Sequence, residues 1–381
     1  MKKDKVLLVD DDAMVLAGLR RQLRNQFSID TAMSGEEALQ RLRENGPYAV
    51  IVSDFMMPGM NGVEFLSRVK KSNPETIRMM LTGTADMPTA IKAVNEGNIF
   101  QFHPKPCPSE TLSEAIHSGL SHYKKTIADQ HQLRKVKVSL AQASLVQQKM
   151  LPKADPQVEG FDIAGKTIMC DETGGDYYDF FCSGEIGAEQ IGIVVGDVAD
   201  HGISSALLMS SARAFLRERI QTPPRECASI ISDVNKRLVR DVEDLNLFMT
   251  MFYCEIALKE KTIRWVKAGH EPAILYEPAD DSFEALNGVG LPLGIMADAV
   301  YQAFERPIGS GQIILIQTDG IKEASNSESE IFGSQRLLDL IGRHAAKTAR
   351  EILDIVFEAL QCFCHPLQPE DDATLVVIKV R

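Results

Sequence analysis

Residues 48–54 read YAVIVSD, an apolar run that ends in an aspartate. A short apolar run without polar alternation is typical of a strand buried on both faces of a sheet. Four further apolar runs lie before and after it, at residues 5–10, 28–33, 76–81 and 99–102. The intervening segments, such as residues 14–23, carry apolar side chains every three or four positions and are typical of helices. Five strands that alternate with helices predict a doubly wound parallel α/β sheet.

The ligand site of such a sheet lies beyond the carboxyl ends of its strands. We therefore expect one group of polar side chains to collect there: Asp10, Asp11, Asp54, Thr82 and Lys105. Three converging carboxylates would repel one another without a hard cation among them, and their oxygens suit Mg²⁺. Asp54 could then attack phosphorus as a nucleophile, while Lys105 and Thr82 hold the phosphoryl oxygens. The alternative is a solvated acidic turn and a surface lysine, but the shared position at strand ends favours the site.

Four segments of this region resemble the response-regulator receiver domain of two-component signalling: VDDD at 9–12, SDFMMPGMNG at 53–62, MLTGT at 80–84 and FHPKP at 102–106. The resemblance covers nearly all of residues 1–122, which we define as the predicted receiver domain, and implies a flavodoxin-like fold. It also implies that a sensor histidine kinase phosphorylates Asp54.

The same resemblance implies a role for each residue of the predicted receiver site. Asp10, Asp11 and Asp54 would bind Mg²⁺. The phosphoryl group would be contacted by Thr82 and Lys105, and Phe102 would be the switch aromatic side chain.

Residues 109–150 contain no proline and one glycine, and their apolar side chains recur at helical spacing. The apolar phase slips after Ile127, so a strict heptad repeat fails although a second helical stripe persists. The segment could be a helix packed on its own domains or a parallel coiled coil. We favour a homodimer through a linker at residues 123–152, because several basic side chains would be hard to bury within one chain: Lys124, Lys125, Arg134, Lys135 and Lys137.

After residue 161 the strands follow one another, interrupted by helices at about 204–219 and 225–240. The later predicted strands are separated by Gly, Pro and Asp turns and lie at residues 248–258, 262–268, 273–276, 313–317 and 374–380. Two more helical segments, 335–344 and 349–363, would cover a sheet face. This pattern predicts an α+β domain, an antiparallel β-sandwich flanked by helices.

Acidic residues lie at the strand ends of this region, in four clusters: Gly174-Gly175-Asp176, Gly196-Asp197, Thr318-Asp319-Gly320 and Glu370-Asp371-Asp372. Each cluster alone could be an ordinary turn, since Asp-Gly is a common turn pair. Their positions beside hydrophobic strands would instead gather several carboxylates at one rim. Two metal ions held there can activate a water that attacks a phosphoester directly, without a side-chain nucleophile.

These clusters resemble the metal-dependent protein phosphatase superfamily (protein phosphatase 2C), in its bacterial SpoIIE-like branch. The matching motifs are GGDYYDF at 174–180, GDVADHG at 196–202, AGHEPAILY at 268–276, GLPLGI at 290–295, TDG at 318–320 and EDDATLVV at 370–377. They stand in family order, and we define residues 153–381 as the predicted phosphatase domain. The resemblance implies hydrolysis of phosphoserine or phosphothreonine with two Mn²⁺ or Mg²⁺ ions. The implied ligands are Asp176, Asp197, Asp319, Asp371 and the backbone carbonyl of Val198.

Other polar residues near these motifs have open roles. Asp200 stands where the family usually has glycine, and it could bind metal, shape substrate choice or face solvent. His201 could donate a proton to the leaving group or have a structural role at the start of a helix. Asp179 and Asp372 are candidates for supporting the metal ligands. His270 is expected to be a hydrogen-bonded structural histidine.

The whole chain has 381 residues and a formal net charge of −12, which disfavours binding to nucleic acid or anionic lipid. A length of this kind predicts two or three domains. No stretch reaches the length of a membrane span or a secretory signal, and the seven cysteines are scattered. We therefore expect a cytoplasmic protein with reduced thiols.

These inferences together predict a response regulator whose Asp54 phosphorylation controls a metal-dependent protein serine/threonine phosphatase. Activation and inhibition by phosphorylation are both open. The resemblance implies a phosphorylated anti-sigma factor antagonist as substrate. The alternative is a phospho-regulated adaptor with an inactive phosphatase-like domain, but all four acidic metal positions are present. A DNA-binding regulator would need a basic helix-turn-helix after the receiver, which the acidic final third does not offer.

Overall fold

The computed structural model describes residues 4–83, 99–181, 189–223, 225–367 and 369–381. Thr84 of the predicted MLTGT motif lies outside the described residues. The chain divides into two compact units, Met1–Lys137 and Val138–Arg381. Each unit has its own buried apolar clusters.

The first unit contains a five-stranded parallel sheet in the order β2-β1-β3-β4-β5. Its strands are β1 (Lys5–Val9), β2 (Ser28–Ala32), β3 (Val50–Asp54), β4 (Ile77–Thr82) and β5 (Gln101–Pro104). Among the described residues, three helices lie between strands: α1 (Ala13–Leu23), α2 (Gly35–Asn45) and α3 (Gly62–Ser72). This strand order is that of flavodoxin-like folds, so the predicted doubly wound sheet is confirmed.

The central strand β3 is buried along its whole length, which explains its continuous apolar sequence. Val50 and Val52 belong to one apolar cluster, while Ile51 belongs to the cluster on the opposite face. Alternate side chains of a strand point to opposite faces, so β3 contributes to both clusters. Because β1, β3 and β4 are paired in parallel, their carboxyl ends lie at one edge of the sheet.

A single 40-residue helix, α4 (Ser109–Gln148), follows the sheet. It covers most of the region that the sequence predicts as helical. Its first turns contribute Leu112 and Ile116 to an apolar cluster of the first unit. Every residue from 127 to 139 is exposed, and these include Leu133 and Val136.

The second unit contains two antiparallel sheets, in the orders β14-β11-β10-β9-β8 and β13-β12-β15-β16-β7-β6. Its strands are β6 (Gln157–Val158), β7 (Phe161–Ile168), β8 (Tyr177–Phe181), β9 (Gln190–Val198), β10 (Met249–Ala257), β11 (Thr262–Ala268), β12 (Ala273–Glu277), β13 (Ser282–Leu286), β14 (Phe304–Pro307), β15 (Ile313–Gln317) and β16 (Ala373–Val380). Its helices are α5 (Ile203–Ile220), α6 (Cys227–Asp241), α7 (Gly320–Glu323), α8 (Gly333–His344) and α9 (Ala349–Cys364).

Strand β15 shows how the two sheets stack. Ile314 and Ile316 belong to the large cluster that also holds Ile193 of β9, whereas Ile313 and Leu315 belong to the cluster that holds residues of α8 and α9. The strand therefore lies between an inter-sheet core and an outer helical layer. The predicted antiparallel sandwich flanked by helices is confirmed.

Element boundaries follow the sequence prediction closely where a turn signal marks them. The strands predicted at 262–268 and 313–317 coincide with β11 and β15. The helix predicted at 335–344 begins two residues earlier, at Gly333. Within the described residues, every helix is either too short or too polar to span a bilayer.

Candidate functional site

The carboxyl edge of the parallel sheet brings together the acidic residues predicted there. Oxygen atoms of Asp10, Asp11 and Asp54 lie within 4.8 Å of one another, a spacing that could hold a cation. Asp10 and Asp54 are buried, and Asp11 is exposed. Burial, together with the nearby charge of Asp10, raises the pKa of the Asp54 carboxyl group.

Lys105 ties the two buried carboxylates together. Its Nζ lies 2.7 Å from Asp10 Oδ2 and 2.6 Å from Asp54 Oδ1. Burial opposes the charge on this ammonium, but hydrogen bonds to Asp10 and Asp54 outweigh it and raise the pKa of Lys105. Thr82 ends strand β4 next to these groups in the sheet, and its side chain is fully buried. Phe102 is half-buried on β5 against an apolar cluster.

The four acids predicted to bind metal in the second unit come from the ends of four strands. Asp176 directly precedes β8 and Asp197 lies near the end of β9, both in the five-stranded sheet. Asp319 follows β15 and Asp371 precedes β16, both in the six-stranded sheet. The acids therefore meet at one rim of the sandwich, where the two sheets face each other.

A cavity of about 480 Å³ opens at this rim. Its wall includes Asp197, Val198, Asp319 and Asp371. Burial, followed by repulsion from Asp319, Asp371 and Asp372, raises the pKa of Asp197 to about 8. The cavity thus concentrates negative charge that a divalent cation would neutralise.

Asp176 is fully buried, and its two carboxylate oxygens have different surroundings. Oδ2 accepts hydrogen bonds from the hydroxyl groups of Thr374, at 2.5 Å, and Thr318, at 2.9 Å. Oδ1 has no hydrogen-bond partner among the described residues. Burial and the charges of Asp197 and Asp372 raise the pKa of this carboxyl group well above its usual range. An unpartnered buried oxygen in an all-oxygen donor set fits a hard cation such as Mg²⁺ or Mn²⁺.

Asp372 organises the loop that carries Asp176. Its Oδ1 accepts a hydrogen bond from the backbone N–H of Cys170 at 2.8 Å, and its Oδ2 accepts one from Gly175 at 2.7 Å. A Cβ atom at Gly174 would lie 2.0 Å from Asp372 Oδ2, so this close approach requires glycine. Asp372 therefore supports the loop that carries Asp176.

Asp200 and His201 lie at the mouth of the cavity. Asp200 is exposed and has a backbone φ of 72°, the left-handed region that favours glycine. The His201 ring is also exposed, and its Nδ1 lies 2.7 Å from Asp171 Oδ2. This hydrogen bond raises the pKa of His201.

Asp179 has a different setting from the one expected. Both of its carboxylate oxygens accept hydrogen bonds from Arg217 of α5 at 2.7 Å, and Oδ2 also accepts one from the Tyr177 hydroxyl. Asp179 stands three positions after Asp176, and an odd spacing along a strand directs side chains to opposite faces. Its carboxylate therefore anchors α5 to β8 and does not face the cavity.

Two residues near the site were missed by the sequence analysis. The hydroxyl group of Thr250 lines the cavity and lies 2.7 Å from Nδ1 of His270. Thr250 pairs with Asp197 across β9 and β10, a relation that only the strand register supplies. Burial lowers the pKa of His270 to about 3, so this histidine is neutral, and it is hydrogen-bonded as predicted.

The other missed residue is Gln147, near the end of helix α4. Its side chain is buried and makes two hydrogen bonds with the backbone of Gly174. Nε2 donates to the carbonyl oxygen at 2.5 Å, and Oε1 accepts from the N–H at 3.1 Å. No motif marked this residue, because a single glutamine in a polar helix carries no signal for a partner 27 positions away.

The fold and the acidic rim define a receiver domain joined to a phosphatase domain of the protein phosphatase 2C type. Residues 6–117 match the family model of the response regulator receiver domain. Residues 187–381 match the family model of stage II sporulation protein E (SpoIIE), and this match spans half of the chain. The chain therefore belongs to the SpoIIE family.

Individual relatives match the two parts separately. The phosphoserine phosphatase RsbU of Bacillus subtilis is 29% identical over 246 residues, which cover 65% of this chain and 71% of RsbU. The hydrogenase transcriptional regulatory protein HoxA of Cupriavidus necator is 36% identical over 119 residues, which cover 31% of this chain and 24% of HoxA. The solved structure of the SiaA-PP2C domain of Pseudomonas aeruginosa superposes with a TM-score of 0.57. It is 24% identical and covers 66% of this chain and 99% of that domain, which shows the shared fold.

Proposed function

We propose that this chain is a response regulator in which phosphorylation of Asp54 controls a metal-dependent protein serine/threonine phosphatase. The observation that carries the enzymatic part is the fully buried Asp176 with its unpartnered Oδ1, beside three further strand-end carboxylates. A folded domain tolerates such a concentration of charge when cations neutralise it. The similarity to a phosphoserine phosphatase supports the same activity.

Two Mn²⁺ or Mg²⁺ ions would be held by Asp176, Asp197, Asp319, Asp371 and the Val198 carbonyl. When bound, they would supply an activated water and charge stabilisation at phosphorus. The chain itself orients these ligands: Thr318 and Thr374 fix the Asp176 carboxylate, and Asp372 holds its loop. His201 lies at the cavity mouth, where a protonated imidazole could donate to a leaving group.

In the receiver domain, Asp54 is the proposed phosphoacceptor and a sensor histidine kinase the proposed donor. Asp10, Asp11 and Asp54 would hold Mg²⁺, and the Lys105 ammonium lies close enough to Asp54 to bind a phosphoryl oxygen. Thr82 and Phe102 are the proposed contact and switch residues. A phosphoryl group on Asp54 would compete for the Lys105 interactions that now tie Asp54 to Asp10.

Helix α4 is the proposed route from the receiver to the phosphatase. It begins at Ser109, within the proposed receiver domain at 1–122, and ends at Gln148, within the proposed linker at 123–152. The proposed phosphatase domain at 153–381 follows. At its end, Gln147 contacts the backbone of Gly174, two residues before Asp176. A shift of this helix would therefore move the loop that positions a metal ligand.

The proposed substrate is a phosphorylated anti-sigma factor antagonist, as the resemblance to the SpoIIE-like branch implies. The similar RsbU is named a phosphoserine phosphatase, which supports a phosphoserine substrate. The proposed assembly is a homodimer through the linker, supported by apolar side chains on an exposed stretch of α4. We propose a cytoplasmic location.

The test is hydrolysis of p-nitrophenyl phosphate by the full-length protein with Mn²⁺, with and without acetyl phosphate as a donor. Asp319→Asn removes one cavity carboxylate, and we expect activity to fall by about 100-fold or more because a ligand is lost. Asp339→Asn makes the same chemical change at an exposed position on α8 and should leave activity unchanged. Asp54→Asn should abolish any effect of acetyl phosphate.

The outcomes separate enzyme from adaptor. Equal activity of Asp319→Asn and the wild type would refute the metal assignment. Absence of turnover on both the small ester and a phosphoserine protein would favour a phospho-regulated adaptor. An acetyl phosphate effect that persists in Asp54→Asn would refute control through Asp54.

A further inference from the structure

A second group of metal-ligating side chains lies beside the phosphatase cavity, outside the acids assigned above. Cys170, Asp171 and His201 each offer one donor atom, and the three atoms lie within 4.8 Å of one another. Cys170 and Asp171 belong to the segment after β7, whereas His201 lies between β9 and α5. Two separate segments thus converge on one point.

Both segments are fixed by the surrounding fold. The backbone N–H of Cys170 donates a hydrogen bond to Asp372 Oδ1 at 2.8 Å. The backbone N–H of Ala199, two residues before His201, donates one to the carbonyl oxygen of Phe248 at 2.9 Å. The backbone positions of the donor residues are therefore set, while the Asp171 and His201 side chains are about half exposed and free to adjust.

The types of donor indicate which cation would bind. A thiolate, an imidazole and a carboxylate form a mixed set that suits a borderline divalent ion such as Zn²⁺, whereas Mg²⁺ and Mn²⁺ prefer oxygen ligands. Three protein ligands with water in the fourth position are a common tetrahedral zinc arrangement. Zinc bonds of about 2.0 to 2.3 Å place tetrahedral ligands about 3.5 Å apart, so donors within 4.8 Å need only small side-chain shifts.

The charge of the surroundings also favours a cation. Its partner Asp171, and then the negative charges of Asp200 and Asp371, raise the pKa of His201 by stabilising a positive charge at this position. Burial and the nearby carboxylates raise the pKa of the Cys170 thiol to about 12, so it would lose its proton only on binding the ion. The Cys170 thiolate and the Asp171 carboxylate would then together balance the two positive charges of the ion. Binding would release the thiol proton to solvent, and the ion would replace the hydrogen bond between His201 and Asp171.

We propose that Cys170, Asp171 and His201 form a zinc-binding site at the mouth of the phosphatase cavity, separate from the proposed catalytic metals. This site goes beyond the proposed function, since it requires only its three donors and not phosphatase activity. Because His201 lines the cavity, an ion bound to one of its ring nitrogens would keep the imidazole from becoming protonated and acting there as a proton donor. Occupancy of the site would thereby link phosphatase activity to zinc availability.

The test uses full-length reduced protein with excess Mg²⁺, which occupies the all-oxygen sites. Co²⁺ is added as a spectroscopic probe, and we expect a thiolate-to-cobalt charge-transfer band that Zn²⁺ then removes by displacement. Cys170→Ser should lose the band and weaken Zn²⁺ binding by about 10-fold or more. Asp171→Asn removes a carboxylate donor, so it should weaken Zn²⁺ binding. Because Asp171 is exposed, this change should not affect folding.

Cys362→Ser is the matched control, because Cys362 is an exposed cysteine on α9 outside the donor group. It should keep both the band and the affinity. A band that survives in Cys170→Ser, or one that disappears in Cys362→Ser, would overturn the proposal. Absence of any cobalt–thiolate band in the wild type would also overturn it. None of these readings depends on phosphatase activity, so a failed zinc site and a failed enzyme assignment give different results.

Discussion

Asp176 retains one carboxylate oxygen without a hydrogen-bond partner among the described residues, although the residue is fully buried. The other oxygen accepts hydrogen bonds from two threonine hydroxyl groups, so the side chain is held in one orientation. An unsatisfied buried polar group costs about 1 to 3 kcal/mol, and more when it is charged. That cost is offset if the free oxygen binds a cation, which is why this residue carries the proposed metal assignment.

The backbone conformation of Asp200 can be tested by substitution, because its φ of 72° is unfavourable for most side chains. Asp tolerates this region better than Ala, and Gly tolerates it best. We expect Asp200→Gly to leave the second unit at least as stable as the wild type. Asp200→Ala should be less stable than Asp200→Gly by about 1 kcal/mol. Urea unfolding of the metal-free protein measures both differences.

Equal stability of the two Asp200 variants would show that the backbone relaxes away from the left-handed region. The same proteins also separate the roles left open for Asp200. If Asp200→Gly needs a lower Mn²⁺ concentration for half-maximal activity than the wild type, metal binding by Asp200 is excluded. If it needs a higher concentration, metal binding by Asp200 is supported.

At the scale of elements, helix α4 changes character along its length. Its first turns are packed in the first unit, its middle is exposed, and its end is fixed by Gln147. Gln147 satisfies both backbone groups of Gly174, in a loop that also needs Asp372 for its shape. The end of this helix is therefore part of the structure that positions Asp176.

Gln147→Ala should lower the stability of the second unit by about 1 to 3 kcal/mol, since it leaves a buried N–H and C=O without partners. We also expect lower Mn²⁺-dependent hydrolysis, because the Asp176 loop loses a support. Gln148→Ala is the matched control, as its side chain is exposed and its loss should cost less than about 0.5 kcal/mol. Urea unfolding and p-nitrophenyl phosphate turnover measure the two effects. Identical behaviour of the two variants would exclude a supporting role for Gln147.

At the scale of the whole molecule, the exposed stretch of α4 bears on the proposed homodimer. Leu133 is 57% exposed and Val136 is 45% exposed, three positions apart on one face of the helix. Exposed apolar side chains at this spacing are typical of a helix with a partner. Double substitution to Leu133→Glu and Val136→Glu should convert a dimer to a monomer while keeping the helix, since Glu is a good helix former.

Sedimentation equilibrium gives the mass against the 42.1 kDa of one chain. The control is Gln130→Glu with Gln132→Glu, which adds the same negative charge to exposed polar positions and should remain dimeric. A wild-type protein that sediments as a monomer at micromolar concentration would refute dimerisation through the linker. Dissociation of the control as well would attribute the effect to charge and not to the apolar face.

The sequence by itself determined the two folds and the clusters of polar residues at their strand ends. Continuous apolar runs such as residues 48–53 mark strands buried on both faces, and turn signals bound strands such as 262–268, so local pattern and burial agree. Motifs of adjacent residues also carried the similarity to both families. These features depend on short-range order along the chain, which the sequence records directly.

Only the tertiary structure decided which side chains meet. It separated Asp179 from the cavity and joined it to Arg217, and it placed Gln147 against Gly174. It also brought His201 to Cys170 and Asp171, about 30 positions away in the chain. Such contacts depend on strand register, on helix orientation and on the face to which each side chain points. No local pattern encodes them, because residues distant in sequence become neighbours only when the two sheets and their helices pack together.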